Sequence, residues 1–298
     1  MFAFIFSILL ANSNPTSPPT DFWGNWGDGR AELSSYKLTL PRYGELREGY
    51  SVMIFVTEDI SRKTRIKVES GDIPKSERVP VLKLNRVVKF TTGIYDYSIM
   101  TSTFSSVEPE LGRPALEPLK ISFSAQEWCG HIYQMLIPQK SSVDLTMHSY
   151  FQREGDQQKK LSLPQNAVYE DNLPIRIREL KGQEMALGGK HEVKILPALW
   201  HLRAGHIDAG FQSGWIKKEE GETIEVLGKQ TGTWKWSWQV GERTETYWVE
   251  KSGANRIVRF ESSDGTKGEL QASIREPYWR LHDNDDLPFR ERLRISNE

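Results

Sequence analysis

Within the five residues Glu127-Trp128-Cys129-Gly130-His131 a carboxylate, a thiol and an imidazole stand together, the three group types of a thiol-dependent enzyme. On an extended strand Cys129 and His131 would project from the same face with Cβ atoms about 7 Å apart. That is too far for a direct hydrogen bond, and Gly130 is the residue able to bend the chain and close the gap. One reading of the chain therefore makes Cys129 a nucleophile, His131 its base and Glu127 the accompanying carboxylate. The opposing reading is a structural cysteine, because free Cys is among the most buried residue types; it is the favoured one.

A second constellation is aromatic. Trp234, Trp236 and Trp238 recur at every second position, which sets all three rings on one face of a strand while Lys235 and Ser237 point the other way. With Trp248 on a following strand they form a candidate ligand-binding wall. Packed under a helix or a second sheet such a face is core; left partly uncovered inside a curved sheet it lines a cavity for an apolar chain.

Other chemistries find no footing. The six His residues (131, 148, 191, 201, 206 and 282) show no ligand spacing, and His201 with His206 misses the i, i+4 pair of a helical zinc site. Phosphate-binding loops, nucleophile elbows and kinase signatures are absent from the sequence, so neither metal nor cofactor is expected. Glu170 with Asp171, and Glu32 with Glu45, are carboxylate pairs of a kind that any soluble protein offers. Lys plus Arg (39) nearly cancels Asp plus Glu (40), which argues against a nucleic-acid partner.

The elements that must position these residues read as strands. Residues 32–40, 51–57, 79–90, 95–104 and 119–123 alternate or run apolar between turn-like breaks. Residues 128–137 and 143–151 form a hairpin around Pro138–Ser142. Asp171 can cap a short helix running to Leu180, and a second helix spans 199–204. Five further strands, 214–227, 232–240, 245–250, 256–261 and 268–274, are separated by Gly241, Ser252-Gly253 and Asp264-Gly265, a meander joined by tight turns. The glycine-rich segment 21–29 is expected to pack Trp23 and Trp26 against this body. The fold class is mainly β with a few short helices, a curved antiparallel sheet or half-barrel.

Residues 2–11 form an uncharged apolar run, too short for a membrane span of about 20 residues and fitting a signal h-region. Ala11 and Ser13 supply small residues for cleavage after Ser13. Asn12 stands where a lipid-anchored protein would carry Cys. The expected organisation is a leader at 1–13, a linker at 14–20, an N-terminal β region at 21–125 and a C-terminal meander with short helices at 126–298, the last two either separate or one continuous domain. The single cysteine excludes an internal disulfide. Export to the periplasm is expected, with no transmembrane segment in the mature chain.

The stretches Trp23-Gly-Asn-Trp-Gly-Asp-Gly29, Ala31-Glu-Leu-Ser34, Arg42-Tyr-Gly-Glu45, Ile54-Phe-Val-Thr-Glu58, Thr92-Gly-Ile-Tyr-Asp-Tyr97 and Gln126-Glu-Trp-Cys-Gly-His131 resemble a family of exported bacterial proteins often labelled septum formation inhibitor Maf. The likeness spans most of the mature chain and brings no established activity. Proteins that perform Maf chemistry are cytoplasmic nucleotide pyrophosphatases of α/β fold with a Ser- and Arg-rich phosphate-binding segment and a catalytic carboxylate, none of which has a counterpart here. The C-terminal part, Gly228–Trp234 through Tyr247–Glu250 to Asp264-Gly265, resembles periplasmic proteins related to the LolA-type lipoprotein carriers. That likeness implies a curved antiparallel sheet closed by short helices.

These readings converge on an exported envelope protein that binds a lipid, an apolar ligand or a lipoprotein partner without catalysis. The alternatives are the thiol-dependent enzyme of Cys129 and His131 and a structural envelope scaffold.

Overall fold

The computed structural model describes residues 21–69 and 71–295; the expected leader and linker lie outside them. Among these residues fifteen strands form a single sheet. They are β1 (Ala31–Arg42), β2 (Glu45–Ser61), β3 (Arg78–Thr92), β4 (Tyr95–Ser106), β5 (Pro118–Glu127), β6 (Gly130–Pro138), β7 (Ser142–Ser149), β8 (Gln157–Ser162), β9 (Ala167–Tyr169), β10 (Lys190–Leu196), β11 (Gln212–Val226), β12 (Lys229–Val240), β13 (Arg243–Glu250), β14 (Ile257–Ser262) and β15 (Lys267–Glu276). Four short helices accompany them: α1 (Phe22–Trp26), α2 (Leu173–Arg176), α3 (Leu199–Gly205) and α4 (Pro288–Arg292). No helix among the described residues is long and apolar enough to cross a membrane.

The strand order is β8-β7-β6-β5-β4-β3-β2-β1-β15-β14-β13-β12-β11-β10-β9. Every neighbouring pair is antiparallel except β9 and β10, which run parallel. Strands adjacent in the chain, β8 and β9, thus occupy opposite edges of the sheet. Only four residues separate Ser162 from Ala167, and they reach at most about 18 Å. A flat sheet of fifteen strands spaced about 4.8 Å apart would put its edges some 67 Å apart, so the sheet must curl until the edges face each other. Side chains confirm the curl. Arg86 on β3 donates to the Tyr247 hydroxyl on β13 at 3.3 Å, although four strands lie between them in the sheet.

Period-2 patterning supplies the inner surface. Leu82, Leu84, Val88 and Phe90 of β3, Tyr36, Leu38 and Leu40 of β1, Ile99 of β4 and Trp236, Trp238 and Val240 of β12 all enter one large core. The opposite face of β1 and β2 carries Leu33, Val52 and Val56, covered by Leu293 and Ile295 near α4. Trp26 enters the main core, whereas Trp23 is exposed, so one of the two N-terminal rings packs as expected.

Differences from the sequence reading concentrate between residues 150 and 196. β8, β9 and β10 were not anticipated, because β8 reads Gln-Gln-Lys-Lys-Leu-Ser and β10 opens Lys-His-Glu, polar sequences tolerated at the sheet's margins. The helix expected over 171–180 shrinks to a 3-10 turn at Glu170–Asn172 followed by the single turn of α2. Position 125/126 falls inside β5, so the sheet is not divided there.

One buried ion pair braces the interior. Arg178, fully buried, donates to Glu32 Oε2 at 2.9 Å and to the carbonyls of Ala254 and Asn255 at 2.8 and 3.0 Å, and its guanidinium lies over Phe55. Removing one partner strands the other charge, at a cost of about 3–5 kcal/mol. Glu32→Ala is therefore expected to lower the urea-unfolding free energy by about that amount. Glu32→Leu combined with Arg178→Met should recover most of it; a double variant no more stable than Glu32→Ala would refute the stranded-charge explanation.

Candidate ligand-binding cavity

Where the inner faces of the two arms of the curled sheet meet, one formed by β1–β8 and the other by β9–β15, a cavity of about 270 Å³ remains. Its apolar wall comes from β1, β3 and β4 through Leu38, Leu40, Leu84, Val88 and Ile99, with Trp200 of α3 and Trp238 of β12. Charged groups share the lining: Glu170, Asp171, Arg86, Arg243 and Glu245, with Tyr247. Arg86 interrupts the inward apolar row of β3 between Leu84 and Val88. Glu245 does the same ahead of Tyr247 and Val249 on β13.

The 3-10 turn at Glu170–Asn172 holds this cluster in place. Thr103 on β4 donates to the Asp171 carbonyl at 3.1 Å, and Ser105 donates to Asn172 Oδ1 at 2.6 Å. Glu170 accepts from Trp238 Nε1 at 3.0 Å and from Arg243 Nη2 at 2.6 and 2.5 Å. Arg243 Nη1 bonds Glu245 in turn. The carboxylates also cap α3, since Glu170 accepts from the Ala198 N–H at 2.8 Å and Asp171 from the Leu199 N–H at 2.9 Å. These N–H groups would otherwise lack acceptors.

Burial sets the protonation of the cluster. Desolvation, aided by the neighbouring charge of Glu170, pushes the Asp171 carboxyl up to about 7, although its bond from Leu199 acts in the other direction. The Glu245 carboxyl is raised by the same burial and by Glu170, against the pull of Arg243. Burial works against the charges of Arg243 and Arg86, yet the surrounding Glu170, Glu245 and Tyr247 outweigh it and both remain firmly cationic. His201 on α3, half-buried at the cavity, is lowered by desolvation and by Arg243.

Of the four tryptophans expected to form a binding wall, Trp238 alone lines the cavity. Trp236 shares its face but is 1% exposed and packed in the core, and Trp234 lies at the core margin beside Lys218 and Lys251. Trp248 is on the other face. It pairs with Lys235, not with a tryptophan, and packs on Val226, Val258 and the Arg259 guanidinium, because alternation in β13 sends Tyr247 inward and Trp248 outward.

Cys129 and His131 do not share a strand. Trp128 and Cys129 form the turn between β5 and β6, and Cys129 is exposed. Its N–H donates to Glu127 at 2.6 Å, and the hydrogen bond and negative charge of Glu127 raise the thiol pKa, the reverse of what activates a nucleophile. Among the described residues no group of three or more His, Cys, Asp or Glu side chains is arranged to hold a metal ion. No protein-family model matches the sequence, and no curated protein matches it.

The raised Asp171 pKa has a stability consequence. The native state binds the Asp171 proton up to about pH 7, whereas an unfolded Asp releases it near pH 4. The proton-linked stabilisation is full below pH 4 and is lost as the pH rises through 7. Asp171→Asn keeps an acceptor for Leu199 and removes the titration. The variant should gain stability over the wild type between pH 5 and pH 8, by up to a few kcal/mol, in urea-unfolding curves at the two pH values; parallel pH profiles would show that Asp171 is ionised throughout.

Proposed function

We propose that this chain is a binding protein for a compact amphiphile, an apolar body ending in an oxygen-bearing head group. The observation that carries this reading is the mixed lining of the cavity, apolar through Leu38, Leu40, Leu84, Val88 and Ile99 and charged through Arg86, Glu170, Arg243 and Glu245. Sites for small molecules combine apolar walls with a few convergent polar groups in this way. Arg86 Nε and Arg243 Nε are buried without hydrogen-bond partners, so the head group that suits the site is an acceptor such as a carbonyl, hydroxyl or carboxylate oxygen. At about 270 Å³ the cavity falls just below the usual range of about 300–1,000 Å³. It suits a small molecule or the end of one acyl chain rather than a whole diacyl lipid. If the chain is exported, such an envelope amphiphile, free or attached to a lipoprotein, is the ligand class to test.

The fluorescent probe N-phenyl-1-naphthylamine should bind and be displaced by decanoate or decanol. Val88→Trp, which fills the cavity from β3, should weaken probe binding at least tenfold while circular dichroism stays native. Unchanged binding in that variant, or no binding by the wild type together with a ligand-free mass in native mass spectrometry, would refute the proposal.

A second reading draws on Asp171 and Glu245, two carboxyls whose pKa values are raised at one cavity, the environment of general acids and bases. In that case the ligand is a substrate for proton transfer. Asp171→Asn would then abolish turnover of a bound ligand while its affinity is retained; equal turnover by both proteins would exclude it.

A further inference from the structure

The hairpin β5–β6, with its exposed thiol, has three companions. In an up-and-down sheet every second connection lies on the same rim, so the turns β1–β2, β3–β4, β5–β6 and β7–β8 stand in a row. Each tip presents a large apolar or aromatic side chain to solvent: Tyr43, Ile94, Trp128 and Tyr150, all between 60% and 82% exposed. Successive tips are two strand spacings apart, about 10 Å, so the row runs for about 30 Å.

The tips are linked by further rings. The Tyr43 and Tyr97 hydroxyls are 2.8 Å apart, the Tyr95 ring lies 5.9 Å from Tyr97 and 6.4 Å from Trp128, and Tyr150 lies against Gly130. A Cβ at Gly130 would come within 2.6 Å of that ring, so glycine is what lets Tyr150 lean toward the Trp128 turn. The string also reaches the cavity, because Tyr97 and Phe90 pack against Trp200, a cavity-lining residue.

We propose that this rim docks on the headgroup layer of an electrically neutral phospholipid surface, with the four tips entering the interface. Tyr and Trp rings join an apolar body to a polar handle, and they favour the depth where hydrocarbon gives way to headgroups. Charged neighbours flank the tips, including Arg42, Glu45, Asp96 and Glu127. Buried in a protein interface these groups would be desolvated, whereas among headgroups they stay hydrated, which favours lipid over a protein partner. The turn segments 42–48, 89–96, 126–131 and 148–156 hold four Lys or Arg against six Asp or Glu. Attraction to anionic lipid therefore contributes nothing, and burial of the rings drives the docking.

The test is co-flotation of the full chain with phosphatidylcholine vesicles. Binding should survive 0.5 M NaCl and fall at least tenfold in Ile94→Ala/Trp128→Ala/Tyr150→Ala, while Trp128→Tyr/Tyr150→Phe retains most of it. The thermal transition of the triple variant should match the wild type, since its substitutions are at exposed turns. Three results would overturn the proposal: absence of wild-type flotation, flotation that requires phosphatidylserine and disappears in salt, or a wild-type dimer in sedimentation velocity that the triple variant abolishes. Probe binding to the cavity by the triple variant without vesicles is measured alongside. It reports on the ligand site separately, so the failure of one proposal is distinguishable from the failure of the other.

Discussion

Four residues between β8 and β9 govern the shape of the molecule. Because that link joins the two edges of a fifteen-stranded sheet, the sheet has to curl, and only a curled sheet has an inside. Antiparallel hairpins would otherwise leave one face to water. Here the alternating apolar residues of both arms converge on a common core, and strands remote in the sheet exchange hydrogen bonds across it, as Arg86 does with Tyr247. The curl stops short of closure: β8 and β9 each pair on one side only. The polar sequence of β8 suits that position, since charged side chains discourage an open edge from pairing with another chain.

Inside such an apolar space a cluster of three carboxylates and two guanidiniums is expensive, and its persistence needs a reason. Part of the reason is mechanical. The turn at Glu170–Asn172 follows the edge strand β9, yet its residues are held by β4 through Thr103 and Ser105 and by β12 and β13 through Trp238 and Arg243. The Asp171 carbonyl and Asn172 thus tie this turn to β4 in the other arm, while Glu170 anchors it to β12 and β13 and, with Asp171, caps α3. Breaking the Glu170–Arg243 pair would loosen the turn's hold on β12 and β13, the α3 cap and the Arg243–Glu245 contact at once, because each Glu170 oxygen serves more than one donor.

Much of this architecture is written in local patterns. The meander after residue 211 and the strands before residue 125 follow from alternation and turn residues, and the inward face of β12 follows from Trp234, Trp236 and Trp238. What escapes is non-local. Nothing near Trp248 shows that the neighbour across from it is Lys235 rather than a tryptophan; register decides that, and register is settled by pairing along the whole strand. Cys129 misleads because a two-residue turn breaks the strand on which its pairing with His131 depended. Glu170 and Asp171 look like an ordinary surface pair, since their burial depends on strands 70 residues away. Arg86 did leave a trace: it occupies the inward phase of Leu82, Leu84, Val88 and Phe90, and a cation in such a row marks a place where the interior is not merely packed.

That trace separates a brace from a binding site. A purely structural cluster is expected to satisfy its donors, because each buried N–H without an acceptor costs about 1–3 kcal/mol. Glu170 meets that expectation, with both oxygens engaged. Arg86 and Arg243 do not, for each keeps a buried Nε without a partner. Twelve other buried side-chain atoms among the described residues are also unpaired, Trp236 Nε1 and Arg178 Nη1 among them, but none belongs to a residue that lines the cavity, so no added molecule there can meet them. Both arginines do line it, and a cavity is the place where the oxygen of a water or a ligand can reach such a donor. A ligand oxygen gains more than water does, because its apolar remainder is buried at the same time against Leu84, Val88, Ile99 and Trp200. The charged groups therefore do double duty: Glu170 anchors the turn that Asn172 ties to the other arm, and the guanidiniums of Arg86 and Arg243, each beside Glu245, line the space the arms enclose.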